Sequence, residues 1–329
     1  MFEPPDTIEA LASAIDRCFF APLRRPRTRR VGVELELPVW NRTPGKATDF
    51  DAVHDATEEF LARFDFPDTA LDDTGALAGK SKYRAYLAGK YGKRLMVYCG
   101  IHVNFSFAER LVSAAGVDRD EFYLHVASQC IKWGWVIVAL TAASPAGQYA
   151  SVRCSEKGYW NRFVPILDFS SVRAYAKSIA RYVQDGLLIA PSELYYPVRL
   201  KPRGPNSLLS LVERGIDHIE IRCVDLNPLT GGLVDARDIE FVRLFLLWCA
   251  AQKREALSVE KQKESVAAFK AAARIDFDWT SVGEVLERMD EFFAGSAGWP
   301  PSVQRVLAFE AEKVYHPGNR YAWMEACHV

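Results

Sequence analysis

The chain has 329 residues, a formal net charge of −1 and 49% hydrophobic residues, enough to bury one large core or two smaller ones. The near-neutral balance argues against nucleic acid as a main partner, and no run of about 18 apolar residues argues for a membrane span. The N-terminus, Met1 to Asp6, has neither a basic nor an apolar leader, and the seven scattered cysteines include no Cys-x-x-Cys pair. A soluble cytoplasmic protein with buried free thiols is expected.

Taken in chain order, residues 7–19 read as a short helix with Ile8, Leu11, Ile15 and Phe19 on one stripe. Five arginines between Arg24 and Arg30 read as a solvated linker, with anion binding open if the segment folds back over a cleft. Residues 31–37 then alternate strictly. Val31, Val33, Leu35 and Leu37 point one way, and Gly32, Glu34 and Glu36 the other. Two carboxylates on one strand face repel unless something positive lies between them, and a hard divalent cation suits oxygen ligands. The competing reading is an edge strand whose glutamates discourage pairing with other chains.

Residues 51–64 read as a helix and 66–81 as a loop. Within that loop, Gly75, Gly79, Lys80 and Ser81 nearly spell a phosphate loop. The glycine spacing is one residue short and no apolar strand precedes it, which excludes that motif. A helix is expected at 82–91. Residues 99–107 alternate again, with Ile101, Val103, Phe105 and Phe107 opposite His102, Asn104 and Ser106. Residues 118–141 read as one long helix, apolar over most of its surface, whose Trp133 and Trp135 belong to a core. Residues 151–160 are polar and glycine-containing, as a cleft loop would be.

An amphipathic helix is expected at 172–185. Residues 193–203 are extended and rich in Tyr, Arg and Lys, and lead through a loop to the stretch 215–228. There Ile219, Ile221 and Cys223 share one face, and His218, Glu220 and Arg222 the other. Charged residues are seldom buried without partners, so Glu220 and Arg222 face a wet cleft or each other. After Pro228 the pattern is helical, at 235–257, 258–274, 281–294 and 301–313. The class is α+β. A single domain is expected, with the sheet and inserted helices over about 1–230 and a helical part over about 231–329.

If the three alternating strands share a sheet, their polar faces make a basin with Glu34, Glu36, Glu220, His102, Asn104 and Arg222. Carboxylates with an imidazole suit Mg²⁺ or Mn²⁺. Further cations, Arg153, Arg199 and Lys201, suit a phosphorylated substrate. A nucleotide-dependent, metal-assisted reaction follows, because phosphoryl transfer needs mainly positioning and charge neutralisation.

The segments 31–37, 99–106, 152–159, 193–199 and 215–228, in this order, resemble the signature segments of bacterial glutamate–cysteine ligase (γ-glutamylcysteine synthetase). The resemblance runs from about 31 to 250. It implies a fold related to glutamine synthetase, an antiparallel sheet curved into an active-site funnel with helices outside. It also implies an ATP-dependent reaction in which γ-glutamyl phosphate forms and the amine of cysteine displaces phosphate, the first step of glutathione-type thiol biosynthesis. By position, Glu34, Glu36 and Glu220 match metal-binding carboxylates, and His102 matches a histidine beside nucleotide and metal. Arg153 and Arg222 match arginines facing phosphate and glutamate, and Tyr159 and Tyr195 match residues lining the substrate pocket. One segment departs from the family. A strand with Asp-Phe and a downstream Glu precedes the family's counterpart of the helix at Lys82, Tyr83 and Arg84. Here Asp72 to Gly75 run almost directly into that helix, and Asp49-Phe50 opens a helix instead. The tail beyond about 257 is also shorter. Two alternatives therefore stand: a ligase for another amine, or a non-catalytic member lacking one metal-binding strand.

Overall fold

A computed structural model describes residues 30–35, 76–92, 95, 98–230, 232–295 and 299–326. Among them, four antiparallel strands form one sheet in the order β1-β2-β4-β3. These are β1 (Arg30–Leu35), β2 (Ile101–Ser106), β3 (Val198–Pro202) and β4 (Ile216–Val224). The helices are α1 (Ala76–Tyr91), α2 (Glu109–Ala114), α3 (Arg119–Trp133), α4 (Trp135–Thr141), α5 (Val172–Gln184) and α6 (Leu208–Arg214). There follow α7 (Ala236–Ala251), α8 (Val259–Ala272), α9 (Thr280–Ala294), α10 (Ser302–Tyr315) and α11 (Tyr321–Ala326).

The alternation of side chains gives the sheet two unlike faces. Ile101, Val103 and Phe105 of β2, Ile219 and Ile221 of β4, and Val198 and Leu200 of β3 are buried in one apolar core. That face is covered by helices: α3 packs on β3 and β4, α4 on β4, and α7 on β2. The central helix α7 buries most of its surface, from Ile239 through Cys249, and carries α10 on its outer side. Serine and aspartate caps start several of these helices where the sequence places them. Ser171 accepts from the Ala174 amide, Ser258 from Lys261 and Asp118 from Asp120. Each such cap satisfies an amide that the first helical turn leaves unpaired.

The expected helix over 118–141 is two helices meeting at Gly134. A Cβ there would stand 2.7 Å from the Phe269 ring of α8, so the absence of a side chain is what lets α8 close on the joint. Residues 76–81, expected as loop, are the first turns of α1; Gly79 weakens a helix by only about 1 kcal/mol. The short helices α2, α6 and α11 have no expected counterpart, and 252–257 falls outside α7. In α6, Ser207 caps the Ser210 amide, and Gly215, at φ +76°, ends it in a conformation that favours glycine. Trp133 and Trp135 pack against the core as expected, Trp133 edge-on to Trp248. Among the described residues, Cys130, Cys154, Cys223 and Cys249 are buried free thiols. The expectations for 7–19, Arg24 to Arg29, Glu36, Asp49-Phe50, 51–64, and Cys18 and Cys327 lie outside the described residues. No helix among the described residues is long and apolar enough to cross a membrane.

Candidate active site

The other face of the sheet carries the polar rows. Register fixes who meets whom: Glu34 lies across from His102, Asn104 across from Glu220, and Glu220 in turn across from Arg199, with Lys201 opposite His218. Between Ile101 and Val103 the partner strand advances from Val224 to Ile221, an extra residue that marks a bulge at Arg222 and Cys223. Bulges re-aim side chains, and here Arg222 joins the same cluster as its strand neighbour Glu220.

Glu34, His102 and Glu220 each offer a ligand atom, and these atoms lie within 4.8 Å of one another. Nδ1 of His102 is 3.3 Å from Oε2 of Glu34 and 3.8 Å from Oε1 of Glu220. Glu220 is only 1% exposed, and it is held by two cations. Lys201 Nζ donates to Oε1 at 3.0 Å and Arg222 Nη1 to Oε2 at 3.0 Å. Burial opposes the charged carboxylate, yet Arg222, Lys201, Arg199 and His102 outweigh it and hold Glu220 down at about 2. Glu34 is half-exposed, and the His102 hydrogen bond lowers it despite partial burial. Arg222 Nη1 also approaches His102 Nδ1, at 3.5 Å. One nitrogen cannot donate to Glu34 and accept from Arg222 together. Which of the two contacts is a hydrogen bond depends on the tautomer of His102. Two carboxylates and an imidazole make an oxygen-rich set of three whose donor chemistry would suit Mg²⁺ or Mn²⁺.

Arg199 lies at the rim of this cluster. Its Nη2 donates to the Ser192 carbonyl at 2.8 Å and to that of Leu194, while burial and the neighbouring Arg222 lower it to about 10. The Arg153 guanidinium donates to the Arg222 carbonyl at 2.7 Å and the Val224 carbonyl at 3.3 Å. It packs against Gly100 so closely that a Cβ there would overlap it. The loop bearing it is fastened by Asp225, a fully buried carboxylate that accepts from Ala143 N, Ser144 Oγ and Ser151 Oγ at 2.7–3.1 Å. Gly158 lets that loop fold over itself, since a Cβ would overlap the Arg153 carbonyl.

Tyr159 and Tyr195 come together, the Tyr195 hydroxyl donating to that of Tyr159 at 2.7 Å. Against them packs a lattice of half-buried Lys90 and Tyr91 with buried Asn161 and Glu193, none of which strand alternation singles out. Asp225 was likewise missed. A wholly buried glutamate beside a tyrosine pair carries no periodic signal, because loops have none.

The family model for glutamate-cysteine ligase matches residues 72–156 and 164–271, more than half of the chain. The chain belongs to the glutamate-cysteine ligase family. His102, Asn104, Arg153, Tyr195, Arg199, Lys201, Glu220 and Arg222 fall inside the matched stretches, Glu34 precedes them, and Tyr159 lies between them. Among curated relatives, the glutathione biosynthesis bifunctional protein of Listeria monocytogenes serotype 4b is 30% identical over 288 residues, covering 73% of this chain and 38% of its own length. That of Enterococcus faecalis is 31% identical over 264 residues, covering 68% of this chain and 34% of its own. This glutamate-cysteine ligase family member thus spans little more than a third of those bifunctional proteins. Two crystal structures share its fold. The bifunctional glutathione synthetase of Pasteurella multocida superposes with TM-score 0.67 at 24% identity, covering 78% of this chain and 37% of that one. The glutamate–cysteine ligase of Francisella tularensis in complex with AMP gives 0.63 at 18% identity, covering 74% and 62%.

Proposed function

We propose that this family member is an ATP-dependent ligase that joins the γ-carboxylate of glutamate to an amine, with cysteine as the amine, acting in the cytoplasm at the first step of glutathione-type thiol synthesis. The single observation that carries the reading is the meeting of Glu34, His102 and Glu220 on one sheet face, with Lys201 and Arg222 bound to Glu220. In this reading the polar face is one wall of a funnel within a single catalytic domain. The AMP complex of the Francisella ligase supports an adenine nucleotide as co-substrate.

Glu34, His102 and Glu220, with Glu36 beside them in sequence, would hold Mg²⁺ or Mn²⁺, which when bound neutralises phosphate oxygens of the nucleotide. Arg222 and Lys201 face the same space and stabilise the charge that develops on the transferred phosphoryl group. Arg199 and Asn104 flank them, and Arg153, through its grip on the β4 carbonyls, fixes the bulge that aims Arg222. Tyr159 and Tyr195 line the substrate pocket. A γ-carboxylate oxygen of glutamate attacks the terminal phosphorus of ATP and ADP leaves. The amine nitrogen then attacks the γ-carbonyl carbon, phosphate leaves, and the nitrogen releases its proton to solvent as the amide forms.

The test is phosphate release by the purified chain with ATP, Mg²⁺, glutamate and a panel of amino acids and simple amines. Release that requires all four components, greatest with cysteine, is expected. A larger rate with another amine would reassign the acceptor, and ATP binding without any release would make the chain a non-catalytic member.

A further inference from the structure

We infer that Asn161, backed by Glu193, Lys90 and Tyr91, is a positioning residue that sets where the Tyr159–Tyr195 hydroxyl pair stands. The inference rests on the ligase reading, in which that pair lines the substrate pocket.

Asn161 is 6% exposed and its side-chain amide is used at both ends. Its Oδ1 accepts from the Tyr195 amide at 2.8 Å, while Nδ2 donates to the Glu193 carbonyl at 2.9 Å and to the Tyr91 hydroxyl at 3.1 Å. Tyr91 in turn donates to Glu193 Oε1 at 2.7 Å and stands edge-on to the Tyr195 ring, with centroids 5.3 Å apart. Glu193 has no exposed surface. It takes Lys90 Nζ on Oε1 at 2.5 Å and the Ile189 amide on Oε2 at 2.6 Å. The lattice therefore joins the last turn of α1 to the loop carrying Tyr159 and to the segment carrying Tyr195.

Apolar side chains could fill the same gap without the cost of burying an ion pair. What the polar lattice adds is direction. Burial, reinforced by the Glu193 hydrogen bond, pushes Tyr91 up to about 12, so it stays a neutral donor throughout the working range. Asn161 alone supplies two donors and an acceptor at that point, and aspartate would supply only acceptors. The Tyr195 backbone and ring are thus each gripped, one by Asn161 and the other by Tyr91. With the ring fixed, its hydroxyl meets Tyr159.

The experiment measures KM for the amine and for ATP, with kcat, in the wild-type chain and in Asn161→Ala, Asn161→Asp and Tyr91→Phe. Both Asn161 variants should raise the amine KM about tenfold while the ATP KM stays within about twofold, because a substrate-facing pair displaced by a fraction of an ångström loses its geometry. Tyr91→Phe keeps the edge-on ring and loses only the hydroxyl bonds, so it should give an intermediate rise. It also carries the test if the Asn161 variants do not fold. Equal rises for amine and ATP, or an amine KM unchanged in Tyr91→Phe and in every Asn161 variant that folds, would overturn the inference and leave the ligase reading standing. A wild-type chain that releases no phosphate with any amine would overturn both.

Discussion

Replacing Glu220 by glutamine keeps the shape of the side chain and removes the charge around which the cluster is built. The carboxylate is 1% exposed, and its fall from an ordinary 4.5 to about 2 corresponds to roughly 3 kcal/mol of net favourable interaction in the folded chain. The sign follows from the direction. A lowered carboxylate contributes its stability above about pH 4.5 and loses it as the pH falls toward 2. In Glu220→Gln, Lys201 and Arg222 lose the carboxylate that both hold, and breaking a buried pair from one side costs about 3–5 kcal/mol. Urea unfolding at neutral pH should therefore show the variant less stable by about 3 kcal/mol, a difference that shrinks as both proteins are acidified below pH 4.5. A parallel titration with Mn²⁺, read by electron paramagnetic resonance, should show tight binding lost. A variant as stable as the wild type at neutral pH, and binding Mn²⁺ equally well, would refute the reasoning.

Three further outcomes are expected. Glu310 lies fully buried with Lys313 and Asp238, and burial pushes it up to about 8, so the folded chain holds its proton and loses stability as the pH rises from about 4.5 to 8. Glu310→Gln should flatten that decline in urea unfolding, and equal slopes in both proteins would contradict it. Gly100→Ala should displace the Arg153 guanidinium from the β4 carbonyls and lower kcat at least about tenfold, with a smaller change in the melting midpoint; unchanged kcat would remove Arg153 from any role in aiming Arg222. Asp225→Ala leaves the Ala143 amide and the Ser144 and Ser151 hydroxyls without their common acceptor and should cost about 2–4 kcal/mol by chemical denaturation, against no measurable loss if water replaces it.

Strand alternation revealed most of what the sheet does. Each expected polar row, Glu34, His102 with Asn104, and Glu220 with Arg222, lies on one face of β1, β2 or β4, and the opposite rows of β2 and β4 are core. That pattern is visible because a period of two forces the two chemistries apart. Distances across strands are not encoded this way. Nothing in the spacing reveals that Lys201 reaches Glu220, or that a bulge at Arg222 brings a guanidinium to the same carboxylate. The direction of Arg153 depends on Gly100 having no side chain, which alternation along a strand does not express. Lattices built from loops, such as Asn161 with Glu193, have no period to detect, and short helices such as α6 rest on one cap and one glycine. The ring of Phe269, from a distant helix, comes within 2.7 Å of where a Gly134 Cβ would stand, a tertiary closeness that local pattern cannot express.

The central claim is that this sheet face activates a γ-carboxylate by phosphorylation, and oxygen transfer tests it most directly. Glutamate labelled with oxygen-18 in its γ-carboxylate, turned over with ATP, Mg²⁺ and cysteine, should deliver one labelled oxygen to each phosphate released. Phosphate released without label would contradict an acyl phosphate, and with it the role assigned to Glu34, His102, Glu220 and Arg222.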